Sequence, residues 1–598
     1  RAKQEFETFR YSNTLTAQLT KDLKATGSMS FIKNNNVQTE YKTTYYVGAP
    51  YAVNIEKNGN GEVIGYDVNE QLNVVNAGTK SYAQERSQRT FYENYSLQLD
   101  YNHTFGNVHN VAAMVGANAE KRTYKNVTAK RTDLLYDGLF DLNTGSAGST
   151  NQTVTGGSNA QGYISYLTRL NYNYAGKYMI EALGRRDGTS KFHVDYRWCN
   201  FGAASVGWRI SEENFVKKNV KWLDNLKLRA SYGVTGGAVS ELGNYDYLSA
   251  ITLSTYYFNG GQEQIAYLSK MTDYSRTWEK LQNLNIGVDF ALWNRLRGSV
   301  EWFDRQSRDL LYNYTAPQPP YIYSTILVNV GTTVNRGIEV SLEGDAFKGT
   351  PVEWTTGINY SYGTTKLDKL SNSLYKASYV ELYQKPGVGT SEYFFRVEEG
   401  SKIGQFYGYE YAGVENGDMM IYTDEGEKVP VSKADVKYKR HIGNGTPTSY
   451  LSWSNTLRYK NFDLSLMFNG AFGFEIFNMR RYGMGLKGCG TDNVLRDAYG
   501  KDADITTGGG VISSFFLEKG DYFKLDNLTL GYTITPKENK FIKGMRVYLT
   551  AKNLFTLTGY SGNDPSAVAI NGLTPGVDTN SAYPSATQLS VGLNIRFK

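Results

Sequence analysis

The side chains that could carry out catalysis are few in this sequence. It contains four histidines, which are His103, His109, His193 and His441. None of them stands in a motif with serine or with paired carboxylates, the arrangement that nucleophilic or general acid–base catalysis requires. We therefore predict surface histidines and a protein that is not an enzyme.

Two segments have a composition that partly matches phosphate-binding or calcium-binding loops. Residues 507–510 (TGGG) are glycine-rich, but the Lys-Ser/Thr pair and helix of a phosphate-binding loop do not follow them. Residues 424–427 (DEGE) offer carboxylates that are too few and too irregular for a calcium loop. We predict a flexible loop and a solvated turn, and no cofactor or metal site.

Aromatic side chains in polar, glycine-rich segments are better candidates for binding. Their rings can stack on the faces of sugars, and they can also pack against apolar side chains of peptides. Packing within the loop, or against a partner protein, is an equally ordinary use of such rings. The candidate substrate-binding residues are Tyr256, Tyr257, Phe258, Tyr321, Tyr323, Tyr393, Phe394 and Phe395.

The elements that position these residues are strands. In 284–302 (LNIGVDFALWNRLRGSVEW) apolar residues occupy every second position on both sides of a short turn. This period predicts an antiparallel hairpin with one apolar face. Similar hairpins recur along the whole chain, and no core-forming segments lie between them, so we expect the apolar faces to meet lipid.

Composition agrees with a membrane barrel. The mean hydropathy of −0.48 is that of a soluble protein, as expected when lipid-facing and lumen-facing residues alternate. No apolar run of 18 residues predicts a transmembrane helix. The net charge of +6 on 598 residues gives no case for nucleic acid. Cys199 and Cys489 are the only cysteines, and the sequence leaves their pairing open.

Short turns alternate with long polar loops, as in outer-membrane barrels with short periplasmic turns and long extracellular loops. Eight short turns, near residues 22, 107, 176, 218, 294, 349, 460 and 538, give sixteen strands, and the C-terminal run makes seventeen. Since single-chain barrels have even strand numbers and plugged transporters have about 22 strands, we expect about five further strands and a plug outside this sequence. The whole chain, 1–598, is predicted to be one barrel domain.

The alternation also predicts which side chains face lipid and which face the lumen. The lipid-facing set is Leu284, Ile286, Val288, Phe290, Leu464, Leu466, Val591 and Leu593. The lumen-facing set is Asp289, Glu301, Glu339, Glu343, Asp463 and Arg596. The predicted extracellular loops are 35–87, 128–160, 235–277, 313–331, 367–448, 477–518 and 557–585. We expect the segment from about 34 to 86 to be too polar to span a membrane.

Several motifs resemble those of one family of outer-membrane proteins. They are 185–192 (RRDGTSKF), 205–215 (SVGWRISEENF), 228–236 (LRASYGVTG), 331–339 (GTTVNRGIE), 526–534 (DNLTLGYTI) and 551–565 (AKNLFTLTGYSGNDP). In this order they resemble the SusC/RagA-like TonB-dependent transporters of Bacteroidetes. No plug and no TonB box stand in this sequence.

The resemblance implies a 22-strand barrel in the cell outer membrane, a SusD/RagB-like surface lipoprotein as a lid, and energy from the TonB complex. It implies active import of a large nutrient, with an oligosaccharide first and an oligopeptide as the alternative. A passive porin or adhesin is the alternative of another class, and a plug in the full-length protein would separate the two.

Overall fold

The computed structural model describes residues 2–42, 47–48, 53–57, 63–68, 74–75, 81–135, 139, 141–237, 242–258, 260–316, 318, 322–371, 377–384, 392–487, 493–536, 541–579 and 585–597. The fold is all-β. Its main element is a 17-stranded antiparallel sheet, as the alternation predicts. Within the described residues no α-helix is long and apolar enough to cross a membrane.

The 17 strands follow one another along the chain, and each pairs with the next in antiparallel register. They are β1 Ala2–Gln18, β2 Leu23–Lys42, β3 Tyr82–Phe105, β4 His109–Thr132, β5 Gln152–Tyr174, β6 Tyr178–Thr189, β7 Trp198–Arg209, β8 Leu223–Gly236, β9 Lys280–Leu292, β10 Leu296–Arg308, β11 Thr332–Phe347, β12 Val352–Lys369, β13 Ser449–Tyr459, β14 Phe462–Phe472, β15 Tyr522–Ile534, β16 Ile542–Thr558 and β17 Gln588–Phe597.

The sheet has two free edges among the described strands. β1 pairs only with β2, and β17 pairs only with β16. The predicted up-and-down order and the count of seventeen are confirmed. The total of 22 strands stays an expectation.

The two faces of the sheet differ in chemistry, because side chains alternate between them. One face exposes large apolar side chains, and Ile286 (50% exposed), Leu593 (57%) and Val591 (79%) lie on it. The other face carries serine, asparagine and charged side chains that bond to one another. We call these the apolar face and the polar face.

Seven of the predicted short connections lie together at one end of the sheet, where each joins neighbouring strands; the eighth, near residue 538, lies outside the described residues. The turn between β9 and β10 has Trp293 and Asn294 at φ values of 54° and 52°. Such values are unfavourable for a bulky residue. The Trp293 backbone N–H donates a hydrogen bond to the Trp222 carbonyl over 2.8 Å, and the two indole rings stack with their centroids 5.7 Å apart. The link between β7 and β8 contains the short helix α1, Asn214–Asn219.

The strands at the start of the sheet are longer than the sequence predicts. β3 and β4 have 24 residues each, while crossing the hydrocarbon layer takes about 9–11. The predicted loop 35–87 is shorter at both ends, because β2 runs to Lys42 and β3 starts at Tyr82. The predicted loop 128–160 also shrinks to 133–151. Beyond the membrane both strand faces meet water, so the apolar alternation that marks a strand is lost.

Most of the buried apolar side chains among the described residues lie in the long connections rather than in the sheet. The described residues within 370–448, 473–521 and 559–587 pack together, and we call them the loop body. Within it, Phe477 pairs with Val577 in a short parallel bridge, and the Tyr409 amide bonds to the Ile512 carbonyl over 2.9 Å. The fully buried side chains at its centre include Phe394, Phe395, Phe406, Met419, Phe477, Ile512 and Phe516.

Candidate functional site

An arginine on the polar face holds three neighbouring side chains. Arg229 donates from Nε to Asp289 Oδ1 over 3.1 Å and from Nη1 to Asn285 Oδ1 over 3.0 Å. Glu301 accepts from its Nη2. Gly287 leaves room for the guanidinium, since a Cβ there would lie 3.0 Å from Arg229 Cζ. The charges on this part of the face are therefore paired across three strands.

The same arrangement recurs further along the sheet. Arg546 donates to both oxygens of Asp463, over 2.9 Å from Nε and 2.5 Å from Nη2. A Cβ on Gly531 would lie 2.5 Å from Asp463 Oδ1, so this glycine too makes room for the pair. Each glycine belongs to a strand other than that of the arginine above it, so only the strand pairing reveals the pattern.

The other predicted lumenal charges also have partners. Arg297 donates to Glu343, and Arg305 lies 3.6 Å from Glu339. Five of the six predicted residues are thus in ion pairs on the polar face. Arg596 is exposed and is the register partner of Gly544.

Two contiguous cavities lie where the loop body covers the polar face. The apolar cavity, of about 690 Å³, and the polar cavity, of about 710 Å³, share Glu339, Ser361 and Tyr450. The apolar cavity is lined by side chains that include Phe303, Leu310, Tyr312, Val330, Leu367, Leu370, Val380, Leu382, Val397, Ile403, Ile570 and Leu573. The polar cavity is lined by side chains that include Ser299, Glu301, Ser341, Asn359, Ser452, Asn469, Tyr522, Lys524 and Asp526.

The structure separates the predicted aromatic candidates into different settings. Tyr256, Tyr257 and Phe258 lie on an exposed hairpin, Ile251–Phe258 with Gly261–Leu268, at 59%, 76% and 69% exposure. Tyr323 and Tyr393 are half-buried. Tyr321 lies outside the described residues.

Phe394 and Phe395 have no exposed surface. Phe394 packs edge-on against Phe477 at 4.8 Å, and Phe395 lies 4.7 Å from Phe406. Neither ring has exposed surface to stack on a solute in this conformation, and the assignment of the two residues to substrate binding stays a prediction. In the structure, these two adjacent aromatic residues belong to a buried core within the loops.

The aliphatic residues of the apolar cavity were missed by sequence reasoning. Leu370, Val380 and Ile403 come from one loop, and Ile570 and Leu573 come from another. They stand in irregular segments with no period to mark them. Only the folding of two loops onto the sheet brings them together.

A buried carboxylate joins two parts of the loop body. Glu518 accepts from the Ser561 amide and hydroxyl over 2.8 Å each, and from Asn478 over 3.0 Å. Arg481 lies 3.2 Å from Glu518 and 3.2 Å from Asp502. Burial alone would raise the pKa of Glu518, but these donors and the charge of Arg481 hold its pKa below the ordinary value.

Three of the histidines lie close to carboxylates. His103 lies 3.0 Å from Asp22, and His193 lies 3.2 Å from Asp195. No hydrogen bond joins either imidazole to a serine or cysteine among the described residues. In the same part of the chain no three His, Cys, Asp or Glu side chains are placed to hold a metal ion. Cys199 forms no disulfide there, and Cys489 lies outside the described residues.

Comparison with known proteins agrees with this architecture. TonB-dependent receptor P3 of Formosa agariphila is 28% identical over 555 residues, which cover 87% of this chain and 53% of that protein. TonB-dependent receptor SusC of Bacteroides thetaiotaomicron is 27% identical over 450 residues, which cover 73% of this chain and 44% of SusC. The chain therefore spans about half the length of the curated relatives it matches.

Among solved structures, the RagAB peptide importer in its closed-closed state matches with a TM-score of 0.77 over 99% of this chain and 62% of that one. The sequence identity is 22%, so this likeness concerns the fold alone. The family model described as TonB dependent receptor-like, beta-barrel matches residues 2–554. Since this match covers most of the sequence, the chain belongs to the TonB dependent receptor-like, beta-barrel family of the bacterial outer membrane.

Proposed function

We propose that this chain supplies the barrel wall of a SusC/RagA-type transporter, which imports a large nutrient across the outer membrane with energy from the TonB complex. The observation that supports this most directly is the pair of contiguous cavities between the loop body and the polar face. Their combined size suits a solute larger than a single sugar or amino acid.

An oligosaccharide is the first candidate substrate. Serine, asparagine and tyrosine side chains line the polar cavity, and each can donate to or accept from a sugar hydroxyl. An oligopeptide is the second candidate, because aliphatic side chains such as Leu370 and Val380 line the apolar cavity. An apolar lining of this kind matches amino-acid side chains better than hydroxyl-covered sugars.

The free edges of β1 and β17 bear on how the wall is completed. Unpaired backbone groups in hydrocarbon cost several kcal/mol each. We propose that further strands of the same barrel pair with these edges, as the expected total of 22 requires, and that a plug fills the lumen.

A SusD/RagB-like surface lipoprotein is the proposed partner at the extracellular mouth. The exposed hairpin of Tyr256 and Tyr257 carries large apolar side chains in water, and such residues are favoured in protein interfaces. Cross-links between the lipoprotein and the long loops, with none to the short turns, are expected.

Uptake in living cells tests the import proposal. Ser361→Trp places a bulky ring in the wall that both cavities share, while Ser432→Trp places it on the exposed surface of the loop body. Cells that carry the full-length protein are supplied with labelled oligosaccharides or oligopeptides. Uptake should require a functional TonB complex and should be lost only in the Ser361 variant. Uptake that continues without TonB would identify a passive pore instead.

A further inference from the structure

The apolar face of the first five strands changes character part-way along their length. On the short-turn side of this change, two neighbouring rows of residues in register face outward and are almost wholly apolar. They are Leu15, Gly27, Leu97, Ala117 and Tyr166, followed by Asn13, Met29, Tyr95, Ala119 and Ile164. The next rows mix aromatic and charged side chains. This change marks where the sheet leaves the hydrocarbon layer.

A group of stacked rings lies at this boundary. The ring of Phe31 stacks on Tyr11 at 6.3 Å and on Phe91 at 6.2 Å, and it meets Tyr95 edge-on at 5.8 Å. Aromatic girdles of this kind lie at the membrane–water interfaces of outer-membrane barrels. Because the long loops lie beyond these rings, this boundary faces the outer leaflet.

Three exposed cations follow immediately on the same face. Lys33 is the register partner of Phe91, and Arg89 stands directly opposite Lys125. Like charges opposite each other in a sheet are destabilising. Among the described residues none of the three lies within ion-pair distance of a carboxylate. The three positive charges therefore have no carboxylate partner among the described side chains.

The carboxylates nearby are bonded to other groups. Glu7 accepts from Asn35 over 3.4 Å, and Glu93 accepts from the Tyr95 hydroxyl over 3.5 Å. Glu93 is the register partner of Lys121, a fourth exposed cation on this face. Within this patch the cations outnumber the carboxylates.

The three cations line a hollow of about 650 Å³, which Tyr245 borders where its hydroxyl bonds to the Ala160 amide over 3.1 Å. A second hollow of about 470 Å³ adjoins it and shares Lys33 and Phe91. The second hollow is walled by rings that include Phe9, Phe31 and Phe91. A cationic recess thus lies directly beside a hollow that three aromatic rings line together with Glu7, Thr8 and Asn35 at the membrane boundary.

We propose that Lys33, Arg89 and Lys125 bind the phosphate groups of an anionic lipid of the outer leaflet, whose acyl chains lie against the neighbouring rings. Charge complementarity selects a phosphate-bearing headgroup. The continuity of the recess with the apolar face selects a lipid over a soluble anion. The site lies on the outside of the barrel, so it is separate from the solute path.

Native mass spectrometry of the full-length protein in detergent tests the proposal. The probe is a bis-phosphorylated glycolipid of the lipid A type, compared with a neutral phosphatidylcholine. The variant K33Q/R89Q/K125Q removes the three cations without disturbing the strand pairing. The matched control is K428Q/K433Q/K437Q, which removes three exposed lysines of the loop body.

The wild type and the control should retain the phosphorylated lipid, while the triple variant should bind it about a hundredfold more weakly, at about fivefold for each cation. Phosphatidylcholine should not discriminate between the proteins. Equal retention by wild type and triple variant, or equal loss in the control, would overturn the proposal. Displacement of the lipid by millimolar inorganic phosphate would identify a soluble-anion site instead and also overturn it. This experiment measures lipid binding and not solute uptake. A negative result would therefore refute the lipid site without bearing on the import proposal.

Discussion

Replacing Glu518 with alanine should loosen the loop body without disturbing the sheet. The carboxylate is 12% exposed and receives four bonds, from the amide and hydroxyl of Ser561, from Asn478 and from Arg481. In Glu518→Ala, Arg481, whose side chain is 12% exposed, keeps only Asp502 as an ionic partner among the described residues. The bonds lost include those that join residues 473–521 to residues 559–587.

The expected size of the effect follows from the burial of the pair. Removing one partner of a buried ion pair costs about 3–5 kcal/mol. Since Asp502 still neutralises Arg481, the lower value applies. About 3 kcal/mol corresponds to roughly a hundredfold rise in the population of the opened loop.

Hydrogen exchange of the full-length protein in lipid nanodiscs at neutral pH measures this opening. The Ser561 amide, which donates to Glu518 over 2.8 Å, should exchange roughly a hundredfold faster in Glu518→Ala. Amides of β15 should keep their protection. Glu425→Ala removes an exposed carboxylate of the same loop body and serves as the control. The reasoning fails if the Ser561 amide is unaffected or if both variants accelerate it equally.

Three further outcomes follow from the same structure. Acid should also open the loop body, because the pKa of Glu518 is lowered on folding. The contribution of this carboxylate to the stability of the loop body is full at neutral pH and is lost as the pH falls below about 4. Hydrogen exchange measured at stepped pH would detect the loss. Ile286→Arg on the lipid-facing surface should lower the free energy of unfolding in vesicles by about 2–4 kcal/mol, whereas Leu268→Arg on the exposed hairpin should leave it unchanged. Phe394→Ala should destabilise the loop body by about 3–5 kcal/mol and be detected by faster exchange there, while Tyr257→Ala, at an exposed ring, should not.

The strand count and the direction of the side chains were predictable from the sequence. Residues such as Ile286 and Val591 meet lipid on one side of a two-sided sheet, so each strand carries its own period of two. That signal is local, because it depends on the solvent at each face and not on distant partners. The short turns, including the one at Trp293, interrupt the two-residue alternation. They therefore show where one strand ends and the next begins, which determines the order of the strands.

The lengths of β2 to β5 were less predictable. Past the aromatic boundary, both faces of these strands are in water. Nothing then requires every second residue to be apolar, and the sequence reads as a polar loop. Hydrogen bonding to neighbouring strands, which leaves no mark on composition, extends the sheet.

The candidate site was even less predictable from the sequence, because its contacts form only in the tertiary structure. Asp289, Glu301 and Asp463 could be assigned to the polar face by alternation, but their arginine partners and the glycines beneath them become visible only when strands are paired. The loops show the clearest contrast. Phe394 and Tyr257 look alike in the sequence, as aromatics in polar segments, yet one is buried and the other exposed. Burial of Phe394 depends on Phe477, which lies far along the chain, and contacts of that kind are decided by the folding of the loops onto one another.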